Sequence, residues 1–345
     1  MASRYRGLGE HGSPSASVPL GNADKIAAEL VRALRGRRSR IEFSRRLGYR
    51  SNIVRRWEAG ECWPTASDFL QACVRVRPRT NEIFTLFFQR APDWWDPAVG
   101  FSVDVIAAFL RELRGKTAIG ALSEQTGFNR FSVSRWLTGK AQPRLPEFLR
   151  LVEVTSRRML DFIAGIVEPA QLPSAAGYWQ RLKAAREAAY ESPWSHAVLR
   201  ALELDSPNTR RSTGWIAARL GVETREVETG LEILQRTGQV EQIRGQWRVN
   251  RVLSVDTSAD PVRARKLKIA WSEVALNRLR DGHRGNFGYS LFSVSRRDLR
   301  RLRDLHLEYL RAMQNLIAQS APGECVGLYC AQLMDLAAAD NALGP

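Results

Sequence analysis

Sulfur, histidine and long apolar runs are scarce in this chain, and each scarcity removes a class of function. Only four cysteines occur, Cys62, Cys73, Cys325 and Cys330. They are too few and too spread for a disulfide framework, and neither pair has zinc-site partners nearby. They are expected as small buried hydrophobes or free thiols, with Cys325 and Cys330 lining a strand. The four histidines, His11, His196, His283 and His306, form no pair at helical or hairpin spacing, so no metal site is expected. No apolar stretch approaches the roughly 20 residues of a membrane helix, and the N-terminus has no signal-peptide run, so a cytoplasmic protein with no membrane partner is expected. A phosphate-cradling P-loop, GxGxxG, GxSxG and a nuclease-like acidic pair are all missing, and the chain is expected to be no enzyme and to carry no cofactor. Acid is also short: 36 Asp+Glu face 52 Lys+Arg, nearly all of them arginine, for a formal charge of +16. A polyanion is therefore the first partner to consider.

What is present is enough apolar material, 44% of 345 residues, for two or three packed domains. Residues 1–22 are rich in Gly, Ser and Pro without periodicity and are expected as a mobile tail. Beyond them lies a repeat. AELVRALRG at 28–36 returns as AAFLRELRG at 107–115, an offset of 79 residues. The same offset carries Ser44 to Ser123, Gly48 to Gly127, Tyr49 to Phe128, Arg56-Trp57 to Arg135-Trp136, Gly60 to Gly139, Pro64 to Pro143 and Phe69-Leu70 to Phe148-Leu149. Agreement at Gly, Trp and Pro over more than forty residues indicates a duplicated unit, each copy with its own small core. Ile26, Leu30, Val31 and Leu34, and Ile106, Leu110 and Leu113, have helical spacing, and Gly36 and Gly115 close those helices. Each copy then predicts a second short helix, a Gly turn, a third helix centred on Trp57 or Trp136, and two further packing helices.

Within that pattern, GYRSNIVRRWEAGECWP and GFNRFSVSRWLTGKAQP resemble the turn and third helix of the phage-repressor (Cro-like, xenobiotic-response-element) helix-turn-helix family, over roughly 24–90 and 104–169. The resemblance implies that the third helix enters the major groove of DNA. Carried over by position, the DNA-binding candidates are Arg50, Ser51, Asn52, Arg55 and Arg56 in copy one, and Asn129, Arg130, Ser132, Ser134, Arg135 and Lys140 in copy two. Arginine can grip guanine and asparagine adenine in bidentate fashion. For Arg56 and Arg135, beside the core Trp, a structural ion pair is an equal alternative. Arg40, at the start of the second helix, has Ile119 as its counterpart, implying weaker or different binding by copy two. Arg35, Arg37, Arg38, Arg40, Arg45 and Arg46 form a cluster suited to phosphates.

In the second half, 168–179 is expected as a connector and Gln180–Glu191 as a helix. Residues 195–250 read as three helices and a hairpin turning at Arg244-Gly245, which resembles a winged helix. Its third helix would bury Val222, Val227, Leu231, Ile233 and Leu234 and display Thr224, Arg225, Glu228 and Glu232, whose acids argue against a phosphate grip. A basic amphipathic helix at 262–282, a strand at 286–295, a long helix with a core stripe of Leu299, Leu302, Leu305, Tyr309, Met313 and Leu316, and a closing strand at 325–336 would make a small α+β unit. This order resembles an uncharacterised bacterial regulator family with an N-terminal helix-turn-helix and a C-terminal domain of unknown function.

The expected fold is thus mainly α: helix-turn-helix domains at 23–100 and 101–172, a winged-helix-like domain at 173–252 and an α+β regulatory or dimerisation domain at 253–345. The expected function is sequence-specific, nucleoid-associated transcriptional regulation on double-stranded DNA, with a homodimer through the C-terminal half or an unknown effector. The alternatives are a non-enzymatic protein-interaction adaptor and a non-specific nucleic-acid binder.

Overall fold

The computed structural model describes residues 20–205, 211–250, 257 and 260–336. Most of the expected tail, 1–19, lies outside them. The described chain is mainly helical, with a single two-stranded sheet.

The duplication in the sequence is a duplication of helices. Copy one forms α1 (Ala23–Arg35), α2 (Arg40–Arg46), α3 (Ile53–Glu58), α4 (Ala66–Val76) and α5 (Ile83–Phe88). Copy two forms α6 (Val103–Arg114), α7 (Ile119–Thr126), α8 (Arg130–Leu137), α9 (Leu145–Ser156) and α10 (Met159–Ala164). Local chemistry sets these limits. Ser39 and Glu42 cap α2 reciprocally, Ser102 caps α6, and Gly36 and Gly115 end the first helices at φ 61° and 54°, where only glycine sits without strain. The aromatic pair behind each third helix repeats almost identically: Tyr49 meets Trp57 edge-on at 5.4 Å, and Phe128 meets Trp136 edge-on at 5.3 Å.

The copies do not have separate cores, as the sequence pattern suggested. One apolar cluster runs through both. Phe84 and Phe87 of α5 pack on Phe109 of α6 and Phe162 of α10, and Trp94 and Trp95 of the segment between copies close over Phe84. The reason is size: a unit of about 65 residues buries little apolar surface alone, and sharing the aromatic side chains enlarges the core without lengthening the chain.

The connector is also a correction. A helix, α11 (Pro173–Glu191), starts seven residues before the expected Gln180, with Pro173 in its first turn where a missing N–H costs nothing. Ala175, Trp179, Leu182 and Ala185 enter the shared core, and Ser174 donates through its backbone N and its Oγ to Glu29 of α1 at 2.9 and 2.8 Å. The helix is therefore part of the first body.

Next come α12 (Pro193–Leu202), α13 (Thr213–Leu220), α14 (Thr224–Arg236), and the antiparallel strands β1 (Val240–Ile243) and β2 (Gln246–Val249), joined by Arg244 and Gly245 at φ 51° and 74°. Val198, Leu199, Leu202, Ile216, Val227, Leu231, Leu234 and Val240 form a second core. Thr224, Arg225, Glu228 and Glu232 are exposed, as the pattern required.

After α15 (Pro261–Arg280), the α+β expectation fails. Neither 286–295 nor 325–336 forms a strand, although α16 (Arg296–Gln319) does form. A run of β-forming residues becomes a strand only against a partner edge, and the one sheet among the described residues pairs β1 with β2 alone. Cys325 and Cys330 are accordingly exposed and line no strand. Of the stripe expected as core, Leu299 is buried, but Leu305, Tyr309 and Leu316 are exposed.

One buried group generates a stability prediction. His196 of α12 has Nε2 buried without a hydrogen-bond partner among the described residues. Burial, with Arg200 nearby, pushes its imidazole down to about 4. The unfolded chain, titrating near 6.5, takes up this proton first as pH falls, so stability is full above about pH 6.5 and declines towards pH 4. His196→Leu should flatten the dependence of unfolding free energy on pH across that window by up to one proton; an unchanged slope would remove His196 as its source.

Candidate nucleic-acid interface

The two third helices are placed by the turns that follow them. Gly60 and Gly139, both at φ 73°, release the chain from α3 and α8 into the segments 64–66 and 143–145. These pair with each other antiparallel. Ala66 N donates to Pro143 O at 3.0 Å, Leu145 N donates to Pro64 O at 3.0 Å, and Thr65 faces Arg144. Thr65 and Arg144 are repeat equivalents, so each copy gives and receives the same bond. Around this pair α1 lies against α9 while α6 lies against α4, and α5 meets α10. This is an isologous contact, which in an oligomer marks a two-fold axis, here formed within one chain. The same operation that exchanges the two segments exchanges α3 with α8.

The sequence-derived candidates fall into two groups, one on each copy. Arg40, Arg50, Ser51, Arg55 and Arg56 are exposed with Asn52 half-buried among them; in copy two Asn129, Arg130, Arg135 and Lys140 are exposed, and Ser132 and Ser134 are half-buried. The asparagines are partly committed. Asn52 Oδ1 accepts from Arg55 N at 3.4 Å and Asn129 Oδ1 from Phe131 N at 2.8 Å, so both act as helix caps, and each carbonyl needed for a bidentate grip on adenine already has a donor.

Two arginines expected on phosphates have an internal role. Glu58, its side chain 1% exposed, accepts from Arg35 Nε at 2.6 Å and from Arg40 Nε at 2.7 Å. Burial pushes the Glu58 carboxyl up, but the hydrogen bonds and charges of the two guanidinium groups prevail and hold it below the usual carboxylate range. Arg35 is therefore a structural residue, and Arg40 offers the interface only its outer half. Arg55 and Arg56 meet Glu61 at 2.9 and 3.7 Å, all three about half exposed, so the ion pair offered as an alternative for Arg56 exists, to an acid past the helix end. Arg135 instead lies over the Phe131 ring at 5.6 Å and donates to the Lys140 carbonyl at 3.4 Å.

Phe131 was not among the sequence candidates. It is 68% exposed at the front of α8, and its repeat equivalent is Asn52. The signal that could have found it was there: an aromatic residue where the other copy has a polar one, on a helix face that the repeat assigns to solvent.

Among the described residues no helix is long and apolar enough to cross a membrane, and no cluster of three or more His, Cys, Asp or Glu could hold a metal ion. Residues 175–332 match a family model described as a domain of unknown function (DUF4423), which takes in α11 to α16 and leaves the duplicated half outside. No curated protein and no solved structure matches the chain.

The Glu58 clamp carries a prediction. Glu58→Gln keeps the shape but removes the charge between Arg35 and Arg40; with Arg40 half in water the cost should be about 2 kcal/mol, below the range for a fully buried pair. Because the folded carboxyl titrates below its unfolded value, this stabilisation is present above the ordinary carboxylate range and lost as pH falls through it. Chemical denaturation at pH 7 and pH 3 should show a large difference between wild type and variant at pH 7 and a smaller one at pH 3. Equal differences would refute the clamp.

Proposed function

We propose that the protein is a non-enzymatic, sequence-specific DNA-binding regulator in which α2–α3 and α7–α8 act as tandem helix-turn-helix modules of phage-repressor type. The observation that carries this reading is the reciprocal pairing at Thr65 and Arg144, which relates two copies, each with a basic third helix, by a local two-fold; on this reading the two helices lie on one face. Repressors of that type commonly reach the same arrangement by pairing two chains, and the duplex has a matching dyad, so a site with two half-sites on one face is the natural ligand. The residue types support it further. Arg50, Arg55, Arg56, Arg130, Arg135 and Lys140 present donors suited to phosphate oxygens and to guanine edges. An overall charge of +16 would steer association with a polyanion. The C-terminal half would then contribute regulation or assembly; the acids on α14 make it a poor second DNA grip.

Selection of bound duplexes from a random pool at near-physiological salt tests this directly. The wild type should enrich a defined duplex motif, and Arg55→Ala/Arg56→Ala and Arg130→Ala/Arg135→Ala should each weaken binding to it. Failure to enrich any duplex above non-specific binding would remove the regulator reading and leave the adaptor.

A further inference from the structure

Although the scaffold is locally two-fold, the two copies carry different chemistry at equivalent positions. The third helix of copy one is followed by acid: Glu61 holds Arg55 and Arg56, and Glu58 holds Arg40. At those two positions copy two has Lys140 and Leu137. No acidic partner meets Arg130, Arg135 or Lys140 among the described residues, and α8 begins two residues earlier relative to the repeat, at Arg130, with Phe131 next to it exposed and touched by the Arg135 guanidinium.

The flanks show the opposite bias. Arg37, Arg45 and Arg46 of copy one are exposed and have no acidic partner among the described residues. Their equivalents are Lys116, which is taken by Glu308 at 2.6 Å, and Glu124 and Gln125. Among the described residues copy one therefore leaves its flanking cations and Arg50 without an acid, while Arg55 and Arg56 of its third helix are met by Glu61. Copy two is the reverse.

Phosphate contacts position a protein without reading sequence, whereas base contacts specify. Resting on the DNA-binding reading above, we propose that the copies divide these tasks: copy one anchors through Arg37, Arg45 and Arg46, and copy two reads bases through Arg130, Phe131 and Arg135. The target is then an oriented, non-palindromic duplex with most of its sequence information in the half under α8. Phe131 is the specificity-determining residue. An exposed ring on that helix face has one apolar feature to meet in the major groove, the 5-methyl group of thymine, while Arg130 and Arg135 suit guanine.

The test is duplex selection followed by salt titration of the full chain on the selected site. Wild type should yield one strongly informative half-site and one degenerate half. Arg45→Ala/Arg46→Ala should lower affinity for all sequences and reduce the log–log salt slope by about 2, at roughly 0.9 per phosphate contact, while leaving the motif unchanged. Phe131→Ala should leave that slope intact and cut discrimination of thymine from cytosine at one position by about three- to fivefold, the worth of roughly one buried methyl group; Phe131→Leu should retain part of it. Because Phe131 is exposed, neither variant disturbs the core. Two equally informative half-sites, or a motif untouched by Phe131→Ala, would overturn the division of labour while leaving DNA binding standing. No enriched duplex at all would overturn both.

Discussion

Two backbone hydrogen bonds, between Ala66 and Pro143 and between Leu145 and Pro64, are the constraint on which the first half of the molecule depends. They join segments 79 residues apart in the sequence, and their donors, Ala66 and Leu145, are the first residues of α4 and α9. The bonds alone are worth little net, because water would satisfy the same groups in the unfolded chain. What holds them is the aromatic core behind: Phe84, Phe109 and Phe162 come from three helices of both copies and cannot pack unless the copies are in this one relation. The polar pairing sets register and the apolar cluster supplies energy. Separating the copies would expose both at once, so α3 and α8 are held as a pair, with no hinge of their own between them.

The duplication was legible because its marks are residues with few substitutes. A glycine at positive φ, a tryptophan filling a small core and a proline before a helix leave the same imprint wherever the turn recurs, so Gly60, Trp57 and Pro64 announced Gly139, Trp136 and Pro143. The winged arrangement was legible for a similar reason, since Arg244-Gly245 between two short strands admits few backbone solutions. Core sharing was not legible. Periodicity tells which face of a helix is apolar and is silent on which helix will cover it, and Phe84 has the same pattern whether it packs within its copy or across the axis. The strands expected at 286–295 and 325–336 failed on the same ground, because strand propensity describes a segment and pairing needs a neighbour.

At the candidate interface the residue types were legible and their partners were not. Arg40 and Arg35 belong to the same basic run as Arg37, and only the position of Glu58, at the far end of α3, separates structural arginines from available ones. Charge counted along the chain overstates copy one, whose third-helix arginines are answered by Glu61, and understates copy two, whose third-helix Arg130 and Arg135 meet no acid among the described residues.

A duplicated fold bound into a single body is also free in a way that a homodimer is not. In two identical chains every substitution falls on both half-sites, so a change that improves grip on one side is forced on the other. Here the fold needs only the Gly, Trp and Pro positions to remain equivalent; even the shared aromatic cluster is unlike in the two copies, Phe84 and Phe109 having Ile163 and Leu30 as counterparts. Positions outside that set, such as Glu61 against Lys140 and Asn52 against Phe131, diverge without entering the core. Such changes cost the fold one cap or one exposed ion pair, about 1 kcal/mol each. A symmetric scaffold with asymmetric surfaces is the physical outcome of that freedom, and it suits a ligand whose two halves are unlike.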